Sequence, residues 1–275
     1  MVLALTSSQN PQIKEMRSLY SRKGRDKTGL IPVEGSRFVT EALAAAKEGI
    51  TTIETVFFED GFDEGCLANR ELIDAIGDVA GKVYSCPPSI FRTLTSTESP
   101  QGIVAAVRRP SLPRQPNLEQ ALYLVVDRVQ DPGNLGTMVR TAAAANANGV
   151  LCLKGTVDPY NPKTLRATMG TIFRIPIEFY PDPESLILEL NRHGCQFVAA
   201  DVSGDLCHFD VAYADRTAIV VGNEGQGIDP KLLAATDVKV RIPLAPDIES
   251  LNAAVACGIL LYEVVRYRHL TYSHD

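Results

Sequence analysis

The sequence lacks the long apolar runs that mark membrane proteins and secreted precursors. A bilayer-spanning helix needs about 20 consecutive apolar residues, whereas the longest runs here, such as 258–262, are far shorter. Residues 1–5 are apolar but carry no basic leader and no cleavage-like site, so they do not resemble a signal peptide. We therefore expect a soluble, cytoplasmic protein without a membrane partner.

Metal-ligand and disulfide patterns are also missing. The six cysteines form no CxxC pair and the four histidines form no ligand cluster, which argues against a zinc site and a disulfide framework. We expect no metal, and free thiols that are buried in a reducing compartment. The cysteines are Cys66, Cys86, Cys152, Cys195, Cys207 and Cys257.

The chain is acidic overall, with a formal net charge of −6 over 275 residues, which by itself argues against a nucleic-acid partner. The charge is unevenly distributed, however. Residues 1–116 carry 14 basic and 14 acidic side chains, so the net negative charge belongs to the remainder. Within 14–37 seven basic residues face three acidic ones, a local net charge of +4. Such a segment is either a solvated helix face or an RNA-binding surface.

The Pro-rich stretch around 111–117 is typical of a linker and predicts three parts: a first domain at 1–108, a linker at 109–118 and a second domain at 119–275. Helical and strand-like apolar patterns alternate in both domains. In the second domain, apolar strands separated by helices predict an α/β fold with a parallel sheet covered on both faces. Ligands of such sheets bind at the carboxyl ends of the strands.

Three segments lie at such strand ends. Residues 127–140 run from a strand through an Asp-Pro-Gly turn into a helix, which Asn134 could cap and on which Arg140 lies six residues later. Residues 219–229 run from a strand into a glycine-rich loop that matches neither a dinucleotide fingerprint nor a P-loop. Residues 241–252 contain two prolines and open the last helix, where Ser250 or Asn252 could cap the helix or contact a ligand. Taken singly, each segment is equally compatible with a plain turn or a helix cap.

Taken together, the segments resemble the SpoU branch of the SPOUT methyltransferases, the ribose 2′-O-methylating enzymes of the TrmH type. The resemblance covers 121–268. It rests on Asn134-Leu-Gly136 with Arg140, on Val221-Gly222-Asn-Glu-Gly225 with Gly227, and on Ile242-Pro243 with Glu249-Ser-Leu-Asn252. It extends more loosely to the first domain through Glu34-Gly35-Ser-Arg37 and Pro100-Gln-Gly-Ile103.

The resemblance implies a C-terminal domain that ends in a trefoil knot, with the last helix threaded through a preceding loop, and a homodimer. It implies S-adenosylmethionine as cofactor, without a metal. A pocket with apolar walls, exposed amides and no basic side chain suits adenine and a sulfonium better than a pyrophosphate. The residues implied in cofactor binding are Val221, Gly222, Asn223, Gly227, Ile242, Leu244 and Leu251.

The residues implied in catalysis are Arg140, Asn134, Glu224, Ser250 and Asn252. A guanidinium barely deprotonates, so we expect Arg140 to position the substrate, across a dimer interface, rather than to act as a base. Alignment of two reactants can supply about 7–11 kcal/mol of a barrier, which is enough for transfer from an activated methyl donor to rely largely on it.

The first domain resembles the ribosomal-protein-like α/β module that serves such enzymes as an RNA-binding arm. Phosphate contacts supply most non-specific affinity for nucleic acid, so the basic segment gains weight as an RNA surface. The candidates are Arg17, Arg22, Lys23, Arg25 and Arg37, together with Lys163 and Arg166 in the second domain.

Two positions depart from the family pattern. Asn146 stands where a glycine is common at the end of the first motif's helix, and asparagine also tolerates the left-handed conformation that ends a helix. Leu244 replaces a common methionine, a change that conserves volume. Neither departure puts activity in doubt.

The sequence thus predicts an S-adenosylmethionine-dependent RNA ribose 2′-O-methyltransferase with ribosomal RNA as its substrate. Within the family, a tRNA substrate is the main alternative. Outside it, a non-catalytic RNA-binding protein would be expected to lack a motif residue, and all are present. A nucleotide-dependent dehydrogenase would need a GxGxxG sequence after the first strand of a domain, which is absent.

Overall fold

The computed structural model describes residues 2–113 and 119–272. Part of the predicted linker, 114–118, therefore lies outside the described residues. Contacts divide the chain into two compact units. Unit 1 consists of Met1–Leu112 with Tyr160–Arg174, and unit 2 consists of Pro113–Pro159 with Ile175–Asp275.

Unit 1 is built on a mixed five-stranded sheet. Its strands are β1 (Val2–Ala4), β2 (Leu30–Glu34), β3 (Ile53–Glu59), β4 (Lys82–Cys86) and β5 (Ile103–Arg108). The order is β1-β4-β3-β5-β2, with β5 antiparallel to both β3 and β2 and the other pairs parallel. Its helices are α1 (Pro11–Ser18), α2 (Arg22–Thr28), α3 (Ser36–Lys47), α4 (Leu67–Gly77), α5 (Pro88–Phe91) and α7 (Pro162–Thr168).

Helix α7 belongs to unit 1 although it lies, in sequence, within the predicted second domain. The aromatic rings of Phe173 and Phe38 are 5.8 Å apart, centroid to centroid, and Arg174 Nη2 donates to Glu41 Oε2 at 2.6 Å. By its contacts, segment 160–174 therefore groups with unit 1 and not with the rest of 119–275. Alternating strand and helix patterns locate the segment correctly in sequence but do not reveal which sheet it packs against.

Unit 2 is built on a seven-stranded sheet in which all the neighbouring strands pair in parallel. The order is β10-β12-β9-β11-β6-β7-β8. Its strands are β6 (Ala121–Val126), β7 (Gly149–Leu153), β8 (Ile177–Tyr180), β9 (Gln196–Ala200), β10 (Leu206–Cys207), β11 (Arg216–Val221) and β12 (Val238–Arg241). Its helices are α6 (Pro132–Ala144), α8 (Pro183–Arg192), α9 (Pro230–Ala234) and α10 (Ala253–Tyr272). The predicted α/β fold with a parallel sheet is confirmed.

The strand order decides which loops can form a site. β12, β9, β11 and β6 are consecutive neighbours in the sheet, and in a parallel sheet their carboxyl ends all lie at one edge. The central strands are fully buried, as every residue of β6 shows, so polar groups can gather only beyond the strand ends. The three motifs follow β6, β11 and β12 and are therefore brought together at this edge.

The ends of helix α6 test two sequence predictions. Asp131, not Asn134, is the N-cap: its side chain accepts a hydrogen bond from the Asn134 amide at 2.8 Å. The prediction that Asn134 caps this helix is therefore wrong, because Asp131 lies three residues ahead of that amide, where a cap is best placed. Asn146 has a φ of 54°, which confirms the left-handed conformation predicted for it.

In residues 2–113 and 119–272, no helix is both long and apolar enough to cross a membrane.

Four of the six free thiols are buried, as predicted, but Cys66 is exposed and Cys207 is half-buried. Burial raises the pKa of Cys152 and of Cys257 to about 12, so neither is a thiolate at neutral pH.

Candidate active site

A cavity of about 440 Å³ opens at the carboxyl edge of the unit 2 sheet. Its walls come from the residues that follow β9, from the loops after β11 and β12, and from the first turn of α10. Its lining includes all seven residues predicted to bind the cofactor: Val221, Gly222, Asn223, Gly227, Ile242, Leu244 and Leu251. No basic side chain is among its lining residues.

The predicted catalytic residues divide into three groups. Glu224, Ser250 and Asn252 line the cavity. Asn134 does not line it, but it is hydrogen-bonded to two residues that do. Arg140 neither lines the cavity nor bonds to it, since it lies exposed on α6. In one copy of the chain, the structure thus gathers four of the five residues.

The glycine-rich loop folds back on itself directly after β11. Asn223 and Gly227 exchange two backbone hydrogen bonds of 3.0 Å each. A Cβ atom on Gly222 would lie 2.4 Å from the carbonyl carbon of Gly227 and 2.5 Å from the amide nitrogen of Ile228. Real side chains do not tolerate such distances to backbone atoms, so only glycine fits at this position.

The side chain of Asn223 holds this loop in place. Its Oδ1 accepts hydrogen bonds from the amides of Gly225 and Gln226 at 2.9 Å each, and its Nδ2 donates to the carbonyl of Arg128 at 2.8 Å. These polar atoms are already used within the protein. Any contribution of Asn223 to a ligand therefore comes from its backbone or from the shape of the loop.

An ion pair with a buried carboxylate also supports the loop, and its role was not predicted from the sequence. The Asp127 carboxylate, 1% exposed, accepts from Arg128 at 2.8 and 3.0 Å and from the amide of Asp229 at 2.6 Å. The hydrogen bond to Asp127 raises the pKa of the Arg128 guanidinium. Arg128 itself has a φ of 56°. In the sequence, the signal for this ion pair was an Asp-Arg pair directly after a buried strand.

A chain of three polar side chains connects the three motifs. Asn252 Nδ2 donates to Asn134 Oδ1 at 2.9 Å, and Asn134 Nδ2 donates to Glu224 Oε1 at 2.9 Å. Asn252 also caps α10, as predicted for this position, because its Oδ1 accepts from the Ala254 amide at 2.9 Å. The capping bond fixes the Asn252 amide group, Asn252 orients the Asn134 amide group, and Asn134 orients the Glu224 carboxylate.

The charge of Glu224 is stabilised by its neighbours. Burial by itself raises the pKa of this carboxyl, but the hydrogen bonds from Asn134 and from backbone amides, including that of Gln130, outweigh burial and lower the pKa below its usual range. Glu224 is therefore a carboxylate at neutral pH. Near the cavity it can accept a hydrogen bond or hold a cation, but it is not a proton donor.

Seven of the residues that line the cavity were not predicted from the sequence, among them Ala200, Asp201 and Val202. These three lie at the end of β9 and directly beyond it, and β9 is the neighbour of β11 in the sheet. Asp201 adds a second carboxylate to the lining, oriented by the amide and hydroxyl of Ser203 at 2.8 and 2.7 Å. In the sequence, the signal that could have identified Asp201 was an aspartate directly after a buried strand.

The predicted RNA-binding residues of unit 1 differ in their exposure and in their partners. Arg25 is 2% exposed and donates to the carbonyl of Leu19 at 2.9 Å. The prediction that it contacts RNA is therefore wrong, since its guanidinium is used inside the fold. Arg17 is hydrogen-bonded to Thr93 at 3.1 Å, Arg22 is exposed and lies 3.6 Å from Asp26, and Lys23 is exposed.

The remaining three candidates lie elsewhere in unit 1. Lys163 is exposed on α7. Arg37 and Arg166 line a second cavity, which unit 1 forms by itself.

Within the described ranges 2–113 and 119–272, no group of three or more His, Cys, Asp or Glu side chains is arranged to hold a metal ion.

Comparison with protein families identifies relatives of both units. Residues 121–262 match the model of the SpoU rRNA Methylase family, and residues 10–105 match that of the MRM3-like substrate binding domain. The chain is 34% identical to the 23S rRNA (guanosine(2553)-2′-O)-methyltransferase RlmP of Bacillus subtilis, covering 94% of this chain and 98% of the relative. It is 33% identical to an uncharacterised tRNA/rRNA methyltransferase of Synechocystis, covering 96% and 94%.

Among solved structures, the chain is similar to an AdoMet-bound rRNA methyltransferase from Sinorhizobium meliloti. The TM-score is 0.85 at 32% identity, and the match covers 97% of this chain and 98% of that one. AdoMet is S-adenosylmethionine. The similarity therefore includes both units and extends to a relative that holds this cofactor.

Proposed function

This chain belongs to the SpoU rRNA methylase family, and we propose that it methylates a ribose 2′-hydroxyl of ribosomal RNA with S-adenosylmethionine as the methyl donor. The single observation that carries the proposal is the hydrogen-bonded chain Asn252–Asn134–Glu224 beside the unit 2 cavity. It joins residues from all three motifs in one hydrogen-bonded arrangement. The relatives named as rRNA 2′-O-methyltransferases favour rRNA over tRNA.

The cavity fits the cofactor. Its volume of about 440 Å³ lies in the range of small-molecule sites. Gly222 contributes only backbone atoms to the lining, because a side chain there would collide with the backbone of Gly227. Ile242, Leu244 and Leu251 offer apolar walls. We assign these four residues, with Val221, Asn223 and Gly227, to cofactor binding. Bound there, S-adenosylmethionine supplies an activated methyl group.

The chain's own residues must place the ribose hydroxyl against that methyl group. Glu224 is a carboxylate oriented by Asn134, and Ser250 and Asn252 line the same cavity. These groups are suited to hold the hydroxyl by hydrogen bonds. A guanidinium at Arg140 is suited to anchor the neighbouring phosphate, because it presents several donors and keeps its charge.

We assign Arg140 to the cavity of a partner subunit. In its own subunit it is exposed, lies outside the cavity and makes no ion pair or hydrogen bond with the described residues. The neighbouring helix α10, which packs against α6 near Thr141, exposes Val255 at 51% and Tyr262 at 49%. An apolar face beside an unused arginine supports a homodimer in which each copy completes the other's site. We place the enzyme with its RNA in the cytoplasm.

Mixed dimers test both the activity and the sharing of the site. One copy carries Arg140→Ala and the other carries Gly222→Val, so that each homodimer lacks one function. The assay is transfer of labelled methyl groups to RNA from a strain that lacks the enzyme, followed by mapping of the modified ribose. Activity regained in the mixed dimer, on rRNA, is the expected result. Wild-type labelling of tRNA alone would contradict the rRNA assignment, and mixed dimers as inactive as both parents would contradict the shared site.

A further inference from the structure

Unit 1 contains a second cavity of about 440 Å³, located where β2 ends and α3 begins. Two sequence runs line it: Glu34, Gly35 and Arg37 from the first, and Pro100, Gln101 and Ile103 from the second. These are the two runs by which the first domain resembles the family, and the proposed methyl transfer gives neither of them a role. The amide of Gly35 donates to the carbonyl of Ile103 at 2.9 Å, which holds the runs together.

A buried carboxylate lies in the wall of this cavity. The Glu34 side chain is 8% exposed. Its Oε1 accepts from the Tyr20 hydroxyl at 2.7 Å and from the amide and hydroxyl of Ser96 at 3.0 and 2.9 Å. Its Oε2, equally buried, has no hydrogen-bond partner among the described residues. Buried polar atoms normally have a partner, so this oxygen indicates a donor that a bound molecule supplies.

Arg166 does not satisfy that oxygen. Its Nη1 lies 3.9 Å from Glu34 Oε1, beyond hydrogen-bonding distance, and donates instead to the Ser96 hydroxyl at 2.7 Å. The guanidinium remains 39% exposed at the cavity. The ion pair between Arg166 and Glu34 therefore does not provide the second oxygen of Glu34, Oε2, with a hydrogen-bond donor.

The same cavity has features that attract an anion. Gly35 is the N-cap of helix α3, has a φ of 93° and provides no side-chain cap. The first amides of a helix lack intrahelical acceptors and favour negative charge. Arg37, in the first turn, is exposed and lines the cavity together with Arg166. A Cβ on Gly35 would lie 2.5 Å from Gln101 Oε1, so a side chain at this position would displace Gln101 in the cavity lining.

An apolar surface completes the cavity. Phe38, Pro100 and Ile103 contribute to its lining, as does Met169, which is 39% exposed and has a φ of 52°. Left-handed backbone at a residue that is neither glycine nor asparagine is unfavourable, and it tends to occur where structure serves a function. An exposed thioether beside apolar walls offers contact to the flat face of a nucleobase.

We propose that this cavity binds one unstacked nucleotide of the RNA substrate, with its phosphate at the start of α3 between Arg37 and Arg166 and with a ribose hydroxyl or base N–H donating to Glu34 Oε2. This inference rests on the proposed function, since it takes RNA as the substrate. Single-stranded RNA is commonly recognised through splayed bases of this kind. The site would fix the register of the RNA on unit 1.

The test uses the full-length protein and a fluorescent single-stranded RNA of mixed sequence. Arg37→Ala removes a proposed phosphate contact, and Glu34→Gln removes the acceptor charge while preserving size. Arg70→Ala is the matched control, because Arg70 is exposed in the same unit, on α4, and does not line the cavity. We expect Arg37→Ala to weaken binding about tenfold and to lower the salt dependence by about one released ion.

Glu34→Gln should weaken binding by a similar factor without changing the salt dependence, whereas Arg70→Ala should leave the affinity within about twofold of wild type. Thermal unfolding of each variant checks that unit 1 stays folded, and Glu34→Asp serves as a second probe should Glu34→Gln be unstable. Equal affinities for Arg37→Ala and Arg70→Ala would overturn the site. So would free nucleoside monophosphates that bind in an Arg37-dependent way while the RNA does not.

The outcome is separable from that of the proposed function. Calorimetry of S-adenosylmethionine binding should give wild-type affinity in all four variants, because none of the substituted residues lines the unit 2 cavity. Wild-type protein that transfers no methyl group would contradict the proposed function whatever unit 1 binds. If methyl transfer is intact and Arg37→Ala leaves the RNA affinity unchanged, only the nucleotide site is contradicted.

Discussion

Gly222→Ala should damage the cofactor cavity far more than the addition of one methyl group normally does. The added Cβ would lie 2.4 Å from the carbonyl carbon of Gly227, whereas carbon atoms in contact lie about 3.5–4.0 Å apart. The loop must therefore retreat by about an ångström. The two 3.0 Å hydrogen bonds between Asn223 and Gly227 lie in that loop, and such a shift takes both beyond bonding distance.

The magnitude follows from those two bonds. Each intramolecular hydrogen bond contributes about 0.5–1.5 kcal/mol net, so their loss costs about 1–3 kcal/mol, the usual range for overpacking. We expect lower thermal stability and about 5- to 150-fold weaker binding of S-adenosylmethionine. Differential scanning fluorimetry and isothermal titration calorimetry measure the two effects.

The same loop provides two controls. A Cβ on Gly225 would meet only Asn223 Oδ1, at an ordinary 3.7 Å, so Gly225→Ala should leave cofactor binding unchanged. Gly227 has a φ of 68° and open space around it, so Gly227→Ala should cost only the conformational strain of about 1–2 kcal/mol. If Gly222→Ala and Gly225→Ala bind the cofactor equally well, the steric argument is wrong.

Further predictions concern catalysis, pH, assembly and metals. Arg140→Ala should abolish methyl transfer while calorimetry still detects cofactor binding; turnover at the wild-type rate would remove Arg140 from the site. Because the folded-state pKa of Glu224 is lowered, its contribution to stability is present above the unfolded value of about 4.3 and disappears as the pH falls through the folded value. The stability difference between wild type and Glu224→Gln, measured by denaturation at several pH values, should therefore shrink in acid. Tyr262→Glu places a charge on the exposed face of α10 and should shift sedimentation from dimer to monomer, which an unchanged dimer would contradict. Methyl transfer should survive EDTA, and a loss restored by added metal would contradict the metal-free assignment.

The parallel sheet of unit 2 was predictable because its strands are continuous apolar runs and its loops carry recognisable residues. The strand order, which makes β9 the neighbour of β11, depends on long-range pairing. For this reason Asp201 was missed although it lies in the cavity. Asn134 was found as a site residue but given the wrong role, because sequence alone did not show that Asp131 would take the cap.

Unit 1 was less predictable. Its short elements α1, α2 and β2 have little periodic signal, and β2 is a five-residue strand buried in the sheet. The basic residues of segment 14–37 could be counted from the sequence, but the directions of their side chains could not be predicted. Arg25 turns inward to the carbonyl of Leu19, while Arg37 reaches a cavity. Charge counts therefore could not separate structural arginines from exposed ones.

The two-piece composition of unit 1 limits how it can be excised or exchanged. A fragment of residues 1–112 would lose Phe173, which packs on Phe38, and Arg174, which pairs with Glu41. It would also lose Arg166 from the unit 1 cavity. A chimera that takes its first domain from a relative must therefore also take the relative's segment that corresponds to residues 160–174 of this chain. Homologous recombination at the linker alone would separate two parts of one core.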